Sequence, residues 1–176
     1  MRSILIVLAA ALGFAGLASA SSRGDVLYTV PSASMEPTLH CAKPGVGCLG
    51  KVADRVLAVQ PPGAIRRGSI VVFQTPPLAT VRCGAGGLFI KRVIGLPGNK
   101  VGEVKGYVTV NGKRLREPYI KAGYRDDRTI APVAVPAGSY WVLGDNRAAS
   151  CDSRSWGMVP AKNVVGRVIE VIRPPG

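Results

Sequence analysis

The chain has 176 residues, 47% of them apolar, with 22 glycines and 14 prolines. That apolar fraction excludes a disordered chain, and the glycine and proline content favours short strands and turns over a helical bundle. Its 23 Lys and Arg against 10 Asp and Glu give a net charge of +13, spread from Lys43 to Arg173 without a run of five; with no zinc finger, basic helix or aromatic RNA-binding signature, the charge argues against nucleic acid and for an anionic membrane surface.

Residues 1–20, MRSILIVLAAALGFAGLASA, carry one early Arg and then about 18 uncharged residues, about 27 Å of helix and barely the thickness of a bilayer core. The segment reads either as a retained membrane anchor or as a cleaved signal peptide, since Ala18-Ser19-Ala20 fits the small-x-small cleavage pattern. Both readings place residues 21 onward outside the cytoplasm, giving a single-pass protein of the cell membrane if the segment is kept. About 150 residues then remain, enough for one domain with a real core.

Residues 21–29 read as a linker, SSRG, followed by a first strand, DVLYTV, over 25–30 that ends at Pro31. EPTLH after Ser34 predicts one helical turn. VADRVLAVQ (52–60) reads as a strand closed by Pro61-Pro62-Gly63, and SIVVFQ (69–74) as a strand buried on both faces. TPPLATVRCGAGG (75–87) reads as a loop, LFIKRVIGL (88–96) as a strand, and 101–110 with 113–120 as a hairpin around Asn111-Gly112. Residues 121–138 form a polar connection with little pattern. SYWVLG (139–144) is a strand, NRAASCDSRSWG (146–157) a loop and NVVGRVIEVIRPP (163–175) a last strand. The predicted fold is mainly β, a folded antiparallel sheet or partly open barrel of about seven strands, with residues 30–176 as one domain and 101–138 as a small cap on it.

Outside the cytoplasm thiols oxidise. Cys41 and Cys48 flank the turn-rich AKPGVG and predict a small-loop disulfide; Cys83 and Cys151 are the candidates for a second pair, which the sequence by itself leaves open. A zinc site is disfavoured by the lack of CxxC and by a single histidine.

The stretch VPSASMEPTLH (30–40) presents Ser34 on a built turn, and a serine needs a base to become a nucleophile. His40 reads better as a surface loop residue, with no Asp placed to orient its ring. The alternative is Lys91. On a strand its face is shared with Phe89 and Val93, so it has an apolar neighbour on either side. Lysine serves as a base only where a dry pocket disfavours its charge, and a depression toward neutrality would cost the fold about 4 kcal/mol.

Four segments in order resemble the type I signal peptidases, membrane-anchored serine endopeptidases that remove signal peptides: PSASMEPTL, RRGSIVVF, FIKRVIGLPG and GDNRAASCDSRSWG. The resemblance implies Ser34 as nucleophile and Lys91 as general base and later acid. It also implies Ser32 in the oxyanion hole with the Ser34 N–H, and Ser150 as the hydroxyl that orients the lysine. Asp145, Arg147, Asp152 and Arg154 match the polar positions of the last box and read as a structural ion-pair set, with Arg92 paired to Asp145 or Asp152. Val30, Pro31, Met35, Leu39, Phe89 and Ile90 match positions that line pockets for small side chains. The implied partners are pre-proteins bearing signal peptides, cut after Ala-x-Ala, together with membrane lipid; no metal or cofactor is implied. Ser69 and Asn99 depart from the family pattern, which has Asp at both places. The rivals are a self-cleaving repressor-type protease, a plasmid-transfer peptidase that processes pilin, and a non-enzymatic basic envelope-binding domain. The membrane segment, the lack of a DNA-binding region and the four boxes argue against the first, and the close match to the ordinary boxes against the second; the third differs in predicting that Ser34 and Lys91 are dispensable.

Overall fold

The computed structural model describes residues 24–175. The expected anchor or signal segment at 1–20 lies outside them, and among the described residues no helix is long and apolar enough to cross a membrane.

The fold is mainly β, with a large curled antiparallel sheet and a smaller one. Strands β1 (Gly24–Thr29), β2 (Arg55–Gln60), β3 (Ile70–Gln74) and β4 (Leu88–Gly95) come first. Next are β5 (Lys100–Val104), β6 (Tyr107–Val110), β7 (Lys113–Arg114) and β8 (Ile130–Ala134). Finally come β9 (Ser139–Leu143), β10 (Val159–Pro160) and β11 (Val164–Ile172). Seven form the large sheet in the order β1-β2-β11-β3-β4-β9-β10, and four the small sheet in the order β7-β6-β5-β8. The register slips between Val168 and Glu170, between Val164 and Gly166, and between Val93 and Gly95. Such irregularities add local twist, which curls a sheet that would otherwise lie open.

Strand β3 has no polar face, as its continuous apolar run predicts. Val72 packs into a core with Val30, Met35, Leu39, Val56 and Ile90. Its neighbours Val71 and Phe73 point the other way, into a core with Val93, Val142, Trp156 and Val159. A third core joins the two sheets: Ile94, Trp141 and Leu143 from β4 and β9 meet Val101, Val108 and Val110 from β5 and β6.

Several sequence expectations need correction. The 75–87 loop contains helix α1 (Pro77–Cys83), opened by a proline at its start and closed by Gly84 in the left-handed region. The 146–157 loop contains α2 (Ser153–Trp156), whose cap residue Asp152 accepts from the Arg154 N–H. The 101–110 stretch is two strands, broken at Lys105-Gly106, where both residues have positive φ. Gly106 is required there because a Cβ would sit 1.9 Å from the Asp126 carbonyl oxygen. Asn111-Gly112 turns the chain as expected, both at positive φ. Part of the patternless connection is β8, paired to β5. It escapes notice because Pro132 interrupts it, which only an edge strand tolerates.

Both cysteine pairs are bonded, Cys41 to Cys48 and Cys83 to Cys151, with sequence separations of 7 and 68. On loop-closure entropy, opening the longer loop by a Cys83→Ser, Cys151→Ser double substitution is expected to lower stability by about 4 kcal/mol, and opening the shorter by about 2–3 kcal/mol. Urea unfolding of the two double variants measures both; equal or reversed losses would contradict the ordering.

Candidate active site

Ser34 lies in a single 3-10 turn, Ala33–Met35, entered from Ser32 in extended conformation. The turn is anchored from beneath by the buried Ala33 and Met35 and from the side by the segment after β9. The Asn146 N–H donates to the Ser34 carbonyl at 3.1 Å, and the Asn146 side chain donates to the Ala33 carbonyl at 3.1 Å. Gly144 permits this approach, since a Cβ there would lie 2.3 Å from the Ser34 carbonyl oxygen and 2.2 Å from Ser150 Oγ.

Lys91 reaches the same point from β4. Its Nζ donates to Ser34 Oγ at 2.7 Å and to the Ile90 carbonyl at 3.2 Å. The side chain is 3% exposed. Along its own strand face it lies between Phe89 and Val93, and Val71 sits opposite it on β3. The Phe89 ring centroid is 5.2 Å from Nζ. Loss of hydration in this apolar setting brings the amine from 10.5 down to about 8, against the opposing attraction of the Asp152 and Asp145 carboxylates. The displacement costs the fold about 3 kcal/mol, fully present below pH 8. Between pH 8 and 10.5 the unfolded chain binds the extra proton, so this group's contribution to stability rises with pH across that window.

The other residues singled out from sequence fall into place unevenly. Ser32 is exposed and its hydroxyl donates to Ser34 Oγ at 3.3 Å. Ser150 is buried, but its Oγ has no hydrogen-bond partner, and the expected bond to Lys91 is not made. Val30, Pro31, Met35, Phe89 and Ile90 line one cleft of about 380 Å³ together with Ser32, Ser34 and Lys91. Leu39 does not line it and is fully buried in the first core: its N–H closes a turn onto the Met35 carbonyl, which points the side chain inward. The cleft also includes Cys83, Ala85, Gly86, Leu88, Ala149 and Cys151, which the sequence reading left out.

His40 is on a different errand, its Nδ1 sharing a 2.6 Å hydrogen bond with the buried Glu36 carboxylate. Glu36 also accepts from the Cys41 and Leu49 N–H groups and so organises the small disulfide loop. The two departures from the expected acids keep polar duties. Ser69 Oγ accepts from the Arg66 N–H, and Asn99 Oδ1 accepts from the Arg67 guanidinium and the Leu96 N–H.

The polar residues of the last segment are buried and paired, though largely with partners from elsewhere in the chain. Arg92 donates two hydrogen bonds to Asp145, at 2.9 and 2.6 Å, and Asp145 also accepts from Thr38 Oγ1 at 2.6 Å. Arg147, fully buried, pairs with Glu117 and donates to the Gly144 carbonyl. Arg154 donates to Asp152 and to Asp126, both at 2.8 Å. Asp152 in turn accepts from the Gly144 N–H. Burial pushes the Glu103 carboxyl above its ordinary range, against the nearby Arg154 charge. Glu117 and Asp126 are the partners missed from sequence. They lie far along the chain from Arg147 and Arg154, and only the fold brings them together.

Residues 1–172 match the model of a family described as signal peptidase, peptidase S26. The chain is 42% identical over 147 residues to signal peptidase I of Leptolyngbya laminosa, covering 80% of this chain and 64% of that one. It is 43% identical over 141 residues to a probable signal peptidase I-2 of Synechocystis, covering 78% and 58%. The chain thus spans less than two thirds of the length of these two relatives. A crystal structure of a signal peptidase I from Enterococcus faecalis superimposes with a TM-score of 0.50 at 31% identity, covering 61% of this chain and 99% of that one. This chain belongs to the signal peptidase family.

The electrostatics of Lys91 can be tested without reference to activity. A carbon-13 titration of the lysine side chains is expected to show one midpoint near 8 rather than 10.5. In an Asp152→Asn variant the midpoint moves lower, because a carboxylate that holds the proton on is gone. A set of lysines all titrating near 10.5 would contradict the desolvated site.

Proposed function

We propose that this protein is a membrane-associated serine endopeptidase that removes signal peptides from exported pre-proteins, cutting after a small-x-small site by a Ser34–Lys91 dyad. The observation that carries the reading is the 2.7 Å hydrogen bond between a buried, weakened ammonium and the hydroxyl of a serine facing an open cleft. Neutral Lys91 takes the Ser34 proton as Oγ attacks the scissile carbonyl. The resulting ammonium then protonates the departing amine, and a water molecule attacks the acyl-serine with Lys91 again as base. The developing oxyanion is met by the Ser34 N–H, which lies in the first turn of its 3-10 segment, where such groups lack an acceptor within the turn, and by the Ser32 hydroxyl once it swings from Ser34 Oγ. Ser150 Oγ, buried and unpartnered, is the hydroxyl assigned to accept a hydrogen bond from the Lys91 amine and so orient it.

Strand addition supplies the binding mode. β9 pairs with β4 only from Arg92 onward, so Leu88–Lys91 have no strand neighbour on that side. An extended signal-peptide end laid there gains main-chain hydrogen bonds, with alternate side chains directed at the cleft wall. Residues 1–20 serve as the anchor, 21–29 as the tether and first strand, and 30–176 as the catalytic domain with its small sheet as cap, on the outer side of the cell membrane. The positive charge suits an anionic lipid surface.

Ser34→Ala and Lys91→Ala are each expected to abolish cleavage of a pre-protein while circular dichroism and melting stay near native; full activity in either folded variant rejects the dyad. In the parent enzyme, the rate of acylation should fall about tenfold per pH unit below 8 and level off above it, because only the neutral amine acts as base. A flat profile from pH 5 to 9 would exclude a lysine base. Gly144→Ala is expected to reduce cleavage by about 100-fold by pushing Ser34 out of line, a loss of the size that misplacement by about 1 Å produces; kcat/KM for the same pre-protein measures it.

A further inference from the structure

One wall of the cleft takes no part in the proposed chemistry. It is built from Cys83, Ala85 and Gly86 on one side of a gap and Ala149 and Cys151 on the other. The first three belong to the excursion between β3 and β4, the last two to the segment after β9. The strap that follows α1, residues 84–87, is exposed throughout. Its backbone bonds are Gly84 N–H to the Thr80 carbonyl and Thr75 N–H to the Gly87 carbonyl; the second ties the strap's end to the end of β3, and neither holds Ala85 or Gly86. Helix α1 is seated on the second core through Ala79, with Cys83 packed beside it, while Leu78 and Val81 face solvent. The covalent tie is the Cys83–Cys151 bond, half-buried at the cleft, with Cα atoms 6.0 Å apart. The other disulfide, Cys41–Cys48, is buried in the first core and does not line the cleft.

We propose that the Cys83–Cys151 disulfide is a specificity-determining wall, which holds the Ala85-Gly86 strap at a fixed distance from β4 so that small side chains of an extended peptide enter and branched ones are turned away. The inference rests on the peptidase reading given above. Its physical basis is that Ala85, Gly86 and Ala149 have no rotamers to rearrange. A pocket bounded by long side chains relaxes around a larger guest, whereas one bounded by backbone and a cross-link relaxes only if the cross-link opens. Size selection then comes from where the wall stands and needs no bulky residue to block the way.

The test compares two peptides identical except for Ala or Val at the residue before the cut. The disulfide-bonded protein is expected to favour Ala, and the Cys83→Ser, Cys151→Ser double variant to reduce the Ala-to-Val ratio of kcat/KM at least tenfold, the scale on which a pocket discriminates extra methyl groups. A loss common to both peptides, as from a shift of the neighbouring Ser150, cancels in the ratio. An unchanged ratio in a double variant that retains its circular dichroism overturns the proposal. Because the double variant loses stability, Ala85→Leu in the disulfide-bonded protein supplies a second arm. It is expected to raise KM for the Ala peptide at least tenfold, and an unaltered KM overturns the proposal equally. A wild-type protein that cleaves neither peptide overturns the peptidase reading and the wall with it; one that cleaves Ala and Val peptides equally overturns the wall alone.

Discussion

An ammonium group held out of water beside a hydroxyl is the constraint around which this structure is arranged. Left in solvent, Lys91 would keep its proton at neutral pH and would serve only as a positive charge. Phe89 and Val93 along the strand and Val71 across from it strip the hydration that makes the protonated form comfortable. The carboxylates of Asp145 and Asp152 pull the other way. The outcome is a balance near 8, which leaves part of the amine neutral under mildly basic conditions, as the role proposed for Lys91 requires. A deeper pocket would yield a weaker base; a wetter one would yield no base.

The acids that oppose desolvation are also the fastenings of the segment that carries Ser150. Asp145 is fully buried and survives there because Arg92 and Thr38 together satisfy it. Arg147 and Arg154 do the same across the seam to the small sheet, through Glu117 and Asp126. Such pairs add little net stability compared with an apolar core, but removing one member leaves a buried charge and costs about 3–5 kcal/mol. Their value here is positional. They fix the Gly144–Arg147 turn, from which Asn146 grips the backbone around Ser34. Residues with no contact to the cleft thereby set where the hydroxyl stands.

What the sequence made legible follows the range of the interactions concerned. The alternation that puts Lys91 among apolar neighbours is local to one strand, and it could be read directly. So could the Asn111-Gly112 turn, whose backbone demand is written in two residues. The helices α1 and α2 were missed because 7 and 4 residues do not complete an amphipathic repeat; the proline and glycine that bound α1 were the only local sign. Leu39 was misplaced because its direction depends on a turn that closes onto Met35, and an apolar residue near a serine motif can face either cleft or core. Glu117 and Asp126 were beyond reach altogether, since an acid's partner across a seam is a product of topology. Ser150 shows the limit of reading by resemblance: a motif gives its place in the chain, while the direction of its hydroxyl depends on what surrounds it.

The two-sided burial of β3 carries a consequence for how such a chain can vary. Val72 and Ile90 belong to one face of the sheet, Val71 and Lys91 to the other. Because side chains alternate with period two, the gain or loss of a single amino acid in β4 ahead of Lys91 would swap its faces and aim the amine away from the serine. The irregularity between Val93 and Gly95 lies beyond Lys91 and leaves its direction untouched, so parity binds only the stretch of β4 up to the amine, while the outlying turns and the small sheet stand apart from it.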